Sequence, residues 1–239
     1  MKTIVHKADS RGFANHGWLQ ANHSFSFASY FDKDKIQFGA LRVLNDDVIA
    51  PKMGFGNHPH DNMEIITIPL SGVLKHRDNM QEVWQQVLPE EVQVMSAGTG
   101  VQHSEINGSD NEHLSLFQIW IIPNKQNVAP RYGQKTFNEA DRKNTLQVLV
   151  SSIDENHEGS LKIHQDALIS RIDLDSDETF KYRLKSKYHG VYIMNIFGNI
   201  AIKDEALETR DAMGISEVDG FSIKAKEDSS LLFIEIPMI

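Results

Sequence analysis

The stretch GFGNHPHDNMEIITIPLSG, Gly54 to Gly72, joins two histidines one residue apart to a run of β-branched residues that ends at a turn glycine. In an extended chain, side chains two apart share a face, so His58 and His60 aim to one side while Pro59 points away. The run MEIITIPLSG (63–72) reads as a strand entering a tight turn, the place where glycine's freedom is used. The same form returns in the C-terminal half. IPLSGVLKH around Gly72 parallels NIFGNIAIK around Gly198, and LSLFQIWIIP parallels SLLFIEIP. This weak internal duplication predicts an all-β fold of two antiparallel barrels in tandem.

Other segments fit that reading. Short β-type runs are expected at 36–45, 72–78, 92–98 and 114–122, then at 145–153, 161–174, 191–203, 220–226 and 230–237, while helical periodicity is scarce. Between the two series, PNKQNVAPRYGQKTFNEADRKN (123–144) collects prolines, a glycine and polar residues, which reads as a connector. The expected organisation is a metal-binding barrel over 1–125, a linker over 126–144 and a second barrel without metal over 145–239.

The composition narrows the chemistry. A net charge of -9 in 239 residues disfavours nucleic acid as a partner. The absence of cysteine removes thiolate ligands and thiol nucleophiles, so any metal must sit on imidazole and carboxylate. The opening MKTIVHKADSRGFANHGWLQ lacks a signal-peptide core, and no run reaches the length of a membrane helix. A cytoplasmic monomer is expected, with no membrane partner and room for a protein partner.

A lone His-x-His pair is what chance placement of 11 histidines would give about once in two such chains. A second in-phase pair changes its meaning. In SAGTGVQHSEIN (96–107), His103 and Glu105 stand in the same two-residue phase, directly after two glycines. His58, His60, His103 and Glu105 together offer three imidazoles and one carboxylate, a set that suits Fe, Mn, Ni, Cu or Zn. The remaining histidines show no such pairing, and His76, at a strand end in KHRD, is expected to face solvent.

HPHDNMEIITIPLSG followed by GTGVQHSEIN resembles the two motifs of the cupin superfamily. More narrowly, GFGNHPHDNMEI, HRDNM, MSAGTGVQHSE, NHGWL and HSFSFASYFD resemble the pirin family, which includes bacterial quercetin 2,3-dioxygenases. The resemblance implies two cupin barrels and one divalent metal, Fe(II) by analogy and Mn, Ni, Cu, Co or Zn as further options. It places His58, His60, His103 and Glu105 as metal ligands. It also implies a flavonol or other phenolic substrate with O2, ring opening with release of CO, and Glu105 as the base that takes the substrate's hydroxyl proton. The alternative it carries is a non-enzymatic iron-dependent sensor or transcription cofactor, as in nuclear pirins.

Glu64 falls outside this set. Where a cupin takes its carboxylate from the first motif, the same count lands here on Ile65, and Glu64 lies on the opposite face of the strand. The matching count in the second half reaches Leu184 and Ser186, which are not ligands. Gln118 and Trp120, or Phe55 and Met53, are candidates for the pocket wall and rim, with ordinary core packing as the equal alternative.

Overall fold

Alternating burial sets the architecture. In Val101–Asn107 residues 101, 103, 105 and 107 are buried and those between them are not, the pattern of a strand with one wet face. In Glu64–Ser71 both faces are buried, because one lines a barrel and the other meets a second layer of protein. The computed structural model describes residues 1–238. It contains no α-helix among them, only two 3-10 turns at Ala8–Ser10 and Glu139–Arg142. No helix is long and apolar enough to cross a membrane.

Each barrel pairs a seven-stranded sheet with a four-stranded one. In the first, the large sheet runs in the order Arg131–Thr136, Glu91–Ser96, Glu64–Ser71, Leu114–Ile121, Leu41–Ile49, Leu19–His23, Gly12–Asn15. Its small sheet runs Gly54–His60, Val101–Asn107, Leu74–Asp78, Gln85–Val87. The second barrel repeats the plan, with Ser229–Pro237 central in its large sheet as Leu114–Ile121 is in the first. Gly72 and Gly198 occupy matching turns with φ of 83° and 95°. A β-carbon on Gly72 would meet the His113 carbonyl oxygen at 2.7 Å, and one on Gly198 the Asp228 oxygen at 2.5 Å, so both turns require glycine.

Several strands fall where the sequence predicts none, among them Gly12–Asn15, Leu19–His23, Thr179–Arg183 and Ala212–Ser216, and two more bear on the domain boundaries. Lys2–His6 pairs with Ala212–Ser216, which puts the first strand of the chain at the edge of the second barrel's sheet. Arg131–Thr136, inside the stretch read as connector, pairs with Glu91–Ser96 of the first barrel.

The two large sheets face one another. Their shared apolar layer includes Phe25, Phe38, Leu44, Ile66, Phe117 and Ile119 from the first barrel and Tyr192, Met194, Leu232 and Ile234 from the second. Each such side chain contributes about 1.5–3 kcal/mol on burial, so the barrels form one packed body. The second barrel is filled by its own apolar cluster, with Leu184, Tyr182, Phe221 and Phe233 inside it. The interior of the first barrel is divided instead. One apolar cluster around Leu19, Ile49, Leu74 and Leu116 and another around Ile65, Met95 and Val101 leave polar side chains between them.

Candidate metal centre

The polar interior of the first barrel holds the candidate centre. His103 is buried on Val101–Asn107 and sits opposite His58 across the antiparallel ladder to Gly54–His60, the edge strand of the small sheet. The imidazole rings of His58, His60 and His103 lie 4.3–4.9 Å apart between centroids. One ring nitrogen from each falls within 4.8 Å of the others, close enough to hold one metal ion.

The local pairing explains the geometry. The register shifts between His103 and Glu105, so that Glu105 pairs with Phe55 rather than with Gly56. An extra residue on the edge strand is a β-bulge, which re-aims side chains. It turns Phe55 inward beside the histidines, although simple alternation from His58 would turn it out. Gly54 is needed here, since a β-carbon would meet the Ile106 α-carbon at 2.5 Å.

The histidines are prepared as ligands. His58 Nδ1 lies 2.8 Å from the Gly56 carbonyl oxygen and donates to it, which leaves Nε2 with the lone pair a metal ion takes. Both ring nitrogens of His103 are buried without a hydrogen-bond partner among the described residues. A buried polar atom ordinarily finds a partner, so this donor set fits a metal ion. Burial lowers the pKa of His60 to about 4 and pushes that of His103 lower still, with the neighbouring histidines adding to both effects. Both rings are therefore neutral near pH 7, the form that binds metal.

Glu105 stands apart from the trio. Its carboxylate accepts from Gln118 Nε2 at 2.9 Å and from the Thr67 hydroxyl at 3.4 Å, and it is not among the atoms gathered within ligand distance. Burial raises its pKa to about 7 against the lowering effect of those two hydrogen bonds. It nonetheless lines the same cavity as His58 and His60. That cavity, of about 200 Å³, lies between the edge strand and the strands Leu19–His23, Leu41–Ile49 and Leu114–Ile121. Phe55, Gln118 and Trp120 line it, and Trp120 stands edge-on to His60 at 4.9 Å, whereas Met53 lies exposed outside it.

Two buried side chains were not legible from spacing. Asp47 lines the cavity with Oδ1 unpartnered, and burial together with the nearby Asp46 and Glu105 raises its pKa to about 8. Alternation along Leu41–Ile49 would have placed it inward with Asn45 once that strand's register was known. His76 corrects the expectation of a solvent-facing residue. Leu74, His76 and Asp78 form the buried phase of their strand, and the His76 ring stacks on Tyr132 at 5.1 Å and meets His103 at 5.3 Å. Its polar neighbours in KHRD disguised an inward-facing position.

Glu64 lies on the opposite face from Ile65, as the phase count requires, but it is not at the surface. It is 1% exposed between the barrels, accepting from the Ser96 hydroxyl at 2.6 Å and from the His164 backbone N–H. Burial raises its pKa from 4.5 to about 7. A carboxyl raised in this way contributes fully to stability below pH 4.5 and loses that contribution as the pH climbs to about 7. Glu64→Gln is therefore expected to stabilise the protein by about 1–2 kcal/mol at pH 8 and by less at pH 5, with bound metal unchanged. Thermal unfolding at the two pH values and elemental analysis check this. Loss of the metal would place Glu64 in the centre instead.

Similarity to known proteins agrees with this architecture. Residues 5–121 match the Pirin family, and residues 149–236 match the quercetinase C-terminal cupin domain. The chain is 43% identical over 235 residues to the quercetin 2,3-dioxygenase of Escherichia coli K12, covering 98% of this chain and 99% of that protein. It is 40% identical over 227 residues to a pirin-like protein of Caulobacter vibrioides, covering 95% and 96%. The crystal structure of the bacterial pirin YhhW of Escherichia coli in complex with nickel(II) matches with a TM-score of 0.93 at 41% identity, covering 100% of both chains. With two cupin barrels, a histidine trio in the first and near full-length identity to these relatives, the chain belongs to the pirin family.

Proposed function

We propose that the protein is a metal-dependent dioxygenase that opens a flavonol ring with O2 and releases CO. The observation that supports it most is a buried carboxylate, Glu105, in one cavity with His58 and His60 of the histidine trio. His58, His60 and His103 would hold the metal, with Glu105 as a fourth ligand or as a group that swings to the substrate. Fe(II) is our choice among the first-row ions this donor set accepts. When bound, the ion supplies a Lewis-acid position for a substrate oxygen.

The chain's own residues supply the rest. Glu105, aimed by Gln118 and Thr67, takes the proton of the flavonol 3-hydroxyl. The unpartnered Trp120 Nε1 and Asp47 Oδ1 border the cavity where a polyphenol's carbonyl and hydroxyl groups need partners. Phe27, Phe55 and Trp120 give flat apolar walls that exclude water from the reacting ring. At about 200 Å³ the cavity is smaller than the usual ligand pocket, so we expect it to enclose part of a flavonol and leave one ring at its mouth.

The test is an aerobic quercetin assay on protein of known metal content, following oxygen uptake and carbon monoxide. Turnover that scales with bound metal is expected. Turnover that survives complete removal of metal would refute the reading, and a metal-loaded protein inert toward every phenolic tried would favour a sensor.

A further inference from the structure

A second cavity, of about 470 Å³, lies at the seam of the two barrels, lined by Leu70 and Ser115 of the first, Arg142 of the connector, and Arg171, Phe197 and Arg210 of the second. Its charges do not cancel. Arg142 is held by Glu139 and Asp173, each at 2.6 Å. Asp46 is shared between Arg11 at 3.2 Å and Arg210 at 3.6 Å. Arg171 has no carboxylate in contact among the described residues. It is 9% exposed, its one hydrogen bond goes to the Ser230 hydroxyl at 3.2 Å, and its Nε is unpartnered, as is Nη1 of Arg210.

Three guanidinium groups, of Arg142, Arg171 and Arg210, thus line the cavity against two carboxylates, Glu139 and Asp173, in a chain whose net charge is -9. A buried cation without a counter-ion is costly, and its persistence in an acidic protein calls for an anion that completes the group. Guanidinium N–H groups match phosphate oxygens better than any other side chain does. Phe197, half exposed at the rim, and Leu70 offer an apolar wall beside them.

We propose that this seam cavity is an anion site that takes the phosphate group of a small phosphorylated metabolite or free phosphate, with Arg171 and Arg210 as its donors. The site is separate in its residues from the histidine cavity and does not depend on the activity proposed there.

Calorimetric titration of the full-length, metal-loaded protein with inorganic phosphate and with phenyl phosphate tests this. Saturable binding of both is expected, weakened at least about tenfold by Arg210→Gln and by Arg171→Gln, since each removes charged hydrogen bonds. Because Arg171 is buried and its replacement can disturb the seam, Arg210→Gln is the deciding variant if the Arg171 variant melts early. Phe197→Ala is expected to leave inorganic phosphate unaffected; tighter binding of phenyl phosphate, lost in this variant, would identify a phosphomonoester as the ligand, and equal affinities would identify free phosphate. His103→Ala is expected to bind both probes as the parent does. Absence of saturable heat at millimolar probe, binding that ignores Arg210→Gln, or binding lost in His103→Ala would each overturn the proposal.

Discussion

His103→Ala is expected to lose its metal and, with it, all measurable oxygen uptake on quercetin. His103 is the most enclosed of the three histidines and has no hydrogen-bond partner for either nitrogen among the described residues, as a metal ligand requires. Removing an outer residue that merely orients a ligand costs about 10–100-fold in metal affinity, and removing a ligand itself must cost at least the upper figure. The fold should survive, because neither ring nitrogen has a hydrogen-bond partner among the described residues and the deletion leaves no buried donor or acceptor unsatisfied. Elemental analysis, circular dichroism and the quercetin assay on one preparation check all three points. A folded variant with full metal content would show that the ion sits elsewhere.

The second large effect is at Glu105. Glu105→Gln keeps the shape of the side chain, and its amide can still face Gln118 and Thr67, while it can no longer take a proton. We expect turnover to fall about 10²–10⁴-fold, the range a positioned base supplies, with metal content within about twofold of the parent. In the metal-free cavity the Glu105 pKa is raised to about 7 by burial, and a cation beside it would lower that value, so the loaded protein holds the ionised base at neutral pH. The parent's rate should therefore fall on acidification as Glu105 takes up its proton, and the variant's residual rate should lack that acid limb. Metal lost as fully as in His103→Ala would make Glu105 a ligand before it is a base.

Alternation carried most of what the sequence could tell about the first barrel. His58, His60 and His103 were legible because strands keep strict phase, and Gly72 and Gly198 because a positive φ leaves few other residues possible. Phase fails where the backbone slips. The bulge that turns Phe55 inward has no marker other than Gly54 and Gly56, and glycines occur in many strands that run straight. Polar composition misled in KHRD, since His76 and Asp78 face a polar interior rather than solvent. Asp47 stayed hidden for the opposite reason, sitting in LRVLNDD beside an acidic twin that points to the seam. Neither the strand Lys2–His6 nor Arg131–Thr136 announces its partner, because pairing across such sequence distance is decided by the completed sheet.

Lys2–His6 leaves the ribosome long before the strand it pairs with, Ala212–Ser216, from which most of the chain separates it. The backbone of Ala40 likewise donates to Pro237, at the far end of the chain. Contacts of such separation are slow to form, and a domain that owns all its strands can fold as soon as it is synthesised. Here the second barrel does not own its full set, since its large sheet ends on Lys2–His6, whereas the first draws every strand from residues 12–136. Lys2–His6 must wait without that partner until Ala212–Ser216 has been made, so the first barrel can close while the second still lacks its edge strand.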